Sequence, residues 1–147
     1  MVDADAIYEL AQRIESSIEV DKRVAALHSL QSQLESAGYV VEADAVTSAV
    51  KVALKHANQA LSTAALAFIP TYASMIYSGD GTESHSVLNH NVRMLVNSVG
   101  PLVIDKLGDQ KERIREAART ALIELKKRAP RAKITACGYS FGTWVGD

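Results

Sequence analysis

The stretch LGDQKERIREAARTALIELKKRAP, residues 107–130, decides how this chain is read. Gly108-Asp109 signals a turn. The residues that follow place Ile114, Ala117, Ala118, Ala121, Leu122 and Leu125 on one helical stripe, and Pro130 stops it. That stripe explains a helix with one buried face. It does not explain Lys111 and Arg113, cations in a first turn where the macrodipole disfavours positive charge by roughly 0.3 kcal/mol or more. Charge set against local preference points to a purpose other than folding.

Working outward, the same helical period runs through most of the chain. Residues 4–17 carry Ile7, Leu10, Ala11 and Ile14 on one face. After a break at Glu19-Val20-Asp21, with Asp21 as a cap, a second helix reaches about Ser36 and ends at Gly38. Its stripe is Val24, Leu27, Leu30 and Leu34. A third helix spans 42–56 with Val46, Ala49, Val50, Ala53 and Leu54 inward. Asn58 opens a fourth, with Leu61, Ala64, Ala65, Phe68, Ile69 and Tyr72 inward and a kink expected at Pro70. SGDGTESHS, residues 78–86, reads as a loop, and a fifth helix covers 87–107 with a bend near Gly100-Pro101.

Six helices in three pairs contain a weak repeat. The second helix of each pair has an alanine doublet: Ala25-Ala26, Ala64-Ala65 and Ala117-Ala118. Four residues after each doublet stands Leu30, Ile69 or Leu122. The doublets lie 39 and then 53 residues apart, the longer spacing accommodating the 78–86 loop. A period near 40 with two helices per unit is that of HEAT-type solenoids. The expected architecture is all-α, a right-handed stack of three HEAT-type hairpins (about 4–37, 42–77 and 87–129) in one domain over 1–130. An irregular tail occupies 131–147. The turns within the hairpins, Glu19–Arg23, Lys55–Gln59 and Gly108–Arg113, then fall along one edge.

Composition fits this and excludes much else. Of 147 residues 48% are hydrophobic and only 5% aromatic, so the core must come from Ala, Leu, Val and Ile. A single cysteine, Cys137, leaves no internal disulfide and no paired-cysteine metal site. The N-terminus has no basic-then-apolar run, and no apolar stretch reaches membrane-spanning length, so the reading is a protein of the cytosol or nucleus without a membrane. Net charge is −1, but residues 1–44 hold nine acids and three bases, whereas residues 106–133 hold ten bases and four acids. An imbalance of this kind suits one binding edge, although a solvated helix face is the commoner cause of a charge run.

LVIDKLGDQKERIREAARTALIEL resembles the third HEAT repeat of a TOG domain, most closely that of the CLASP family. EVDKRVAALHSLQSQLE is similar to that family's first repeat, and LKHANQALSTAALAFIPTYASMI to its second. The resemblance covers roughly residues 5–130 and corresponds to the N-terminal half of such a domain. It implies tubulin and microtubules as partners, no cofactor, and a place on the cytoskeleton and mitotic spindle. It also implies contact through the within-hairpin turns: Val20, Lys22 and Arg23 in the first; Lys55, His56, Asn58 and Gln59 in the second; Gln110, Lys111 and Arg113 in the third, with Arg115 and Arg119 behind. Two departures stand out. Val20 takes the place of the tryptophan common in first turns, and half a domain is expected to leave an apolar face uncovered.

The same residues fit other roles as well. Lys111, Arg113, Arg115 and Arg119 also fit a solvated face paired with Glu112 and Glu116, and His56 and Asn58 fit a helix cap. Val20 fits packing across its turn. Gly138-Tyr139-Ser140-Phe141-Gly142 is a literal G-x-S-x-G, but only five residues follow it, none a histidine. His85 and His90 have no cysteine or carboxylate cluster to complete a metal site. The 106–133 bases lack interleaved aromatics, which argues against nucleic acid. A non-enzymatic binding module is therefore expected, with a generic HEAT scaffold as the alternative to tubulin binding.

Overall fold

The computed structural model describes residues 3–78 and 85–129, with the backbone of Thr135–Ala136 and Tyr139–Ser140. Six helices form: α1 Ala4–Ser16, α2 Val20–Ala37, α3 Ala43–Lys55, α4 Gln59–Ser78, α5 His85–Lys106 and α6 Glu112–Arg128. The fold is the all-α, HEAT-type solenoid that the periodicity implied. Consecutive helices pair as α1 with α2, α3 with α4 and α5 with α6. The first helices of the pairs then pack α1 on α3 on α5, and the second ones α2 on α4 on α6. Neither α1 nor α2 touches α5 or α6, so the middle hairpin joins the outer two. Each unit meets only its neighbour, as in other solenoids.

The predicted stripes are the buried ones. Ile7, Leu27, Leu30, Leu34, Val46, Val50, Leu61, Phe68 and Ile69 have no exposed surface, and Ile114 and Leu125 have almost none. The second alanine of each doublet, Ala26, Ala65 and Ala118, is buried, as are Leu30, Ile69 and Leu122 four residues on. Phe68 and Tyr72 of α4 supply bulk to the core of the middle hairpin, Phe68 stacking on Tyr72 with centroids 5.2 Å apart.

Helix ends differ from expectation in detail. Gly38 ends α2 as anticipated, at φ +79° with its amide donating to the Leu34 carbonyl at 2.8 Å. Asp21 does not cap α2; Glu19 holds that position, two residues earlier, and the helix begins at Val20. Glu42 precedes α3 in the left-handed region at φ +55°, unusual for a residue with a Cβ. Helix α4 runs on past Pro70 to Ser78, and α5 begins at His85, inside the segment expected as loop; residues 79–84 lie outside the described residues. The tail, expected to be irregular, contains a two-residue antiparallel ladder, β1 Thr135–Ala136 with β2 Tyr139–Ser140, and β1 lies against α5. The rest of the G-x-S-x-G segment falls outside the described residues.

The uncovered apolar face expected of half a domain is not found among the described residues. Only Tyr8, Ile18 and Ile123 are large apolar residues standing exposed. The exposed positions of α6 are Glu112, Arg113, Glu116, Arg119, Thr120, Ile123 and Lys127, so Ile123 alone among them is a large apolar residue, and α5 has β1 beside it.

One buried polar link ties the middle hairpin together. The Tyr72 hydroxyl donates to the Ala43 carbonyl at 3.1 Å and lies 3.2 Å from Thr47 Oγ1. Burial pushes the Tyr72 phenol far above the ordinary tyrosine value; nearby Asp44 adds to this and the Thr47 hydrogen bond opposes it. The folded state thus holds the proton that the unfolded chain releases near pH ~10. The stability this confers is complete below that pH and is lost as pH rises through the folded value. Tyr72→Phe is expected to cost about 1 kcal/mol at neutral pH, because Thr47 keeps a hydroxyl able to bond the Ala43 carbonyl one turn back. It should also flatten the alkaline fall in stability. Urea titrations of both proteins at pH 7 and above pH 10 check the two expectations, and equal alkaline slopes would contradict the second.

Candidate functional site

Five residues, 38–42, connect α2 to α3, and the hairpin turns are shorter or equal in length. Short connections reverse direction, so α3 runs parallel to α1 and α4 parallel to α2. With α1 on α3 on α5, the three within-hairpin turns lie on the same end of the stack: residues 17–19, 56–58 and 107–111.

In the first turn α1 stops at Ser16 because Ser17 adopts extended backbone. Val20, the first residue of α2, is half-buried against the core, so its side chain belongs to the packing more than to the edge. Ile18 is the apolar residue presented there, 98% exposed. Lys22 is exposed and reaches Glu19 at 3.8 Å. Arg23 is half-buried, and its Nε donates to the Ser17 carbonyl at 2.6 Å.

The second turn is a pair of caps. His56 Nδ1 accepts the Asn58 amide at 3.0 Å, and Asn58 Oδ1 accepts the Leu61 amide at 3.1 Å. The polar atoms thus used belong to the helix start, while Lys55 and Gln59 stand exposed.

The third turn carries the most open positive charge. Asp109 Oδ1 accepts the Lys111 amide at 2.9 Å, which fixes Lys111 as the residue before α6. Arg115 reaches back so that Nη1 donates to the Asp109 carbonyl at 2.7 Å and the Gln110 carbonyl at 2.9 Å. Gln110, Lys111 and Arg113 are exposed, and Arg119 is exposed one turn further along α6. Among the described residues no group of His, Cys, Asp and Glu could hold a metal ion.

A relation between the turns escaped the sequence reading. In the first and third hairpins the residue two places before the alanine doublet bonds a turn carbonyl, Arg23 to Ser17 and Arg115 to Asp109, whereas the equivalent Ser62 Oγ bonds the carbonyl of Gln59, the first residue of α4, at 3.3 Å. Positions 23, 62 and 115 share the doublets' own spacings of 39 and 53, so extending the repeat two residues upstream would have found them. Ile18 was missed for a different reason. It continues the α1 stripe at four residues beyond Ile14, and only the early end of α1 turns it outward.

Over 125 residues, 85% of its length, the chain is 90% identical to Protein STU1 of Mycosarcoma maydis. The match is to a segment of a CLASP-family protein. The chain spans about a tenth of the length of that relative, which it covers to 10%. No family model matches the chain, and no solved structure gives a significant match. The turn carbonyls of the first and third hairpins are bonded by arginines, while Lys55, Lys111 and Arg113 stand exposed.

Removing either arginine tie should loosen its own turn. Arg115→Met is expected to speed amide exchange at Gly108, Asp109 and Lys111 while leaving the second turn protected, and Arg23→Met to act only on the first. Exchange measured by mass spectrometry checks this; unchanged protection in both variants would show the ties to be idle. Asn58→Ala should cost about 1 kcal/mol, read as a lower thermal midpoint.

Proposed function

We infer that this chain is a microtubule-binding module that contacts tubulin through its within-hairpin turns. The observation that carries the inference is the 90% identity to a segment of a CLASP-family protein. The exposed cations Lys111 and Arg113, set at a helix start that does not favour them, support it. Tubulin is strongly acidic, so a basic edge raises the rate of encounter and makes binding sensitive to salt. Each exposed ion pair is worth only about 0.2–1 kcal/mol. Useful affinity therefore requires several turns at once, which a stacked edge provides.

Within this reading, Lys22, Lys55, Gln59, Gln110, Lys111 and Arg113 meet the tubulin surface, with Ile18 as the apolar contact of the first turn in place of Val20. Arg23, His56 and Asn58 hold the turns in shape. Bonded turns need little ordering on association, which lowers the entropic cost of binding. The module is non-enzymatic and acts as part of a longer protein that stabilises microtubules and supports spindle assembly. Among the described residues no helix is long and apolar enough to cross a membrane.

Co-sedimentation with stabilised microtubules across a salt series tests the reading. Lys111→Glu with Arg113→Glu is expected to weaken binding by roughly tenfold or more at low salt, from two pairs turned to repulsion. Ile18→Ser, which removes the apolar side chain without adding charge, should weaken it by a smaller amount that salt changes little. Circular dichroism confirms that each variant is helical. A folded wild-type chain that fails to sediment at any salt would sink the reading, and undiminished binding by the double variant would remove the third turn from it.

A further inference from the structure

Away from the turn tips, α1 and α2 leave between them a cleft of about 370 Å3 lined by Leu10, Arg13, Lys22, Ala25, Ala26 and Ser29. We propose that this cleft binds an extended acidic peptide. The site is additional to the turn edge, which it meets at Lys22.

Charge carries the argument first. Residues 1–44 hold nine acids and three bases, yet the cleft is lined by two of the three bases and none of the acids. The third base, Arg23, is held by the Ser17 carbonyl. One cation comes from each helix, so carboxylates entering the cleft meet positive charge on both walls. Lys22 also reaches Glu19, but that contact is long at 3.8 Å and exposed on both sides, so it yields readily to a competing carboxylate.

Shape carries it second. Leu10 and Ala26 are buried, at 7% and 5% exposure, and give the cleft an apolar floor. Ala25 and Ser29 are small and exposed, so an incoming backbone can approach closely. A cleft of this volume accepts a few side chains of an extended segment rather than a helix, whose diameter with side chains is about 10 Å. The ligand that fits is a peptide alternating acidic with small apolar side chains. Its carboxylates pair with Arg13 and Lys22 while its apolar groups cover Leu10 and the alanines.

The test uses the whole chain and a short fluorescein-labelled peptide of alternating glutamate and alanine, followed by anisotropy, with the glutamine–alanine peptide as control. Salt-sensitive binding of the glutamate peptide alone is expected. Ala25→Glu, which fills and acidifies an exposed position, and Arg13→Gln, which removes one cation, should each weaken it by about fivefold or more. The Lys111→Glu, Arg113→Glu chain should bind the peptide as the parent does. Absent binding, equal binding of the two peptides, or full binding by both cleft variants overturns the proposal. So does a loss confined to the third-turn variant. Arg13 and Ala25 lie outside the turns, so failure here is distinct from failure to sediment with microtubules.

Discussion

A single helical hairpin of this composition has one apolar stripe per helix and too little surface to cover both. The structure depends on removing that deficit by stacking. Buried alanines recur at one place in each second helix, with a large apolar residue one turn later, and the hairpins close on one another in two layers. At about 25 cal/mol per Å2 of apolar surface, burial against neighbours is what holds each unit, since lone helices of this length are marginal in water. The scarcity of aromatics follows from the same geometry: small and branched side chains suit closely spaced helices, and the two large rings of the core sit together in α4.

The turns inherit their order from that stacking. The second helices of the outer hairpins send back a side chain from one equivalent position to a carbonyl of the turn, Arg23 and Arg115, while Ser62 of the middle hairpin bonds the first residue of its own helix. An arginine used in this way counts toward the basic character of the edge in a sequence, yet its hydrogen-bonding directions are partly taken by the backbone. Lys111 and Arg113 differ, being exposed with the backbone around them already satisfied. The distinction divides the basic cluster of the third turn into one part that shapes the surface and one part that faces outward.

Much of the fold was legible because it rests on periodicity. The stripes of five of the six helices, the glycine stop at Gly38 and the alanine doublets are local patterns that the packing then used. What escaped were features set by the ends of helices. Ile18 keeps the helical period but lies beyond the point where α1 stops, so its direction depends on one backbone angle at Ser17. Val20, conversely, sits where a turn residue was expected and became the first residue of α2, half-buried. His85 reads as loop by composition, yet α5 begins there. The arginine ties were missed because Arg23 and Arg115 read in sequence as two more surface charges, although their spacing follows that of the alanine doublets.

The middle hairpin alone joins the outer two, and this gives it the part of a gauge block. The separation and angle between the first and third turns are fixed by how α3 and α4 pack on either side, with Phe68, Tyr72 and Thr47 at the centre. A substitution there that leaves every tip residue untouched still resets the spacing at which those tips meet a rigid surface.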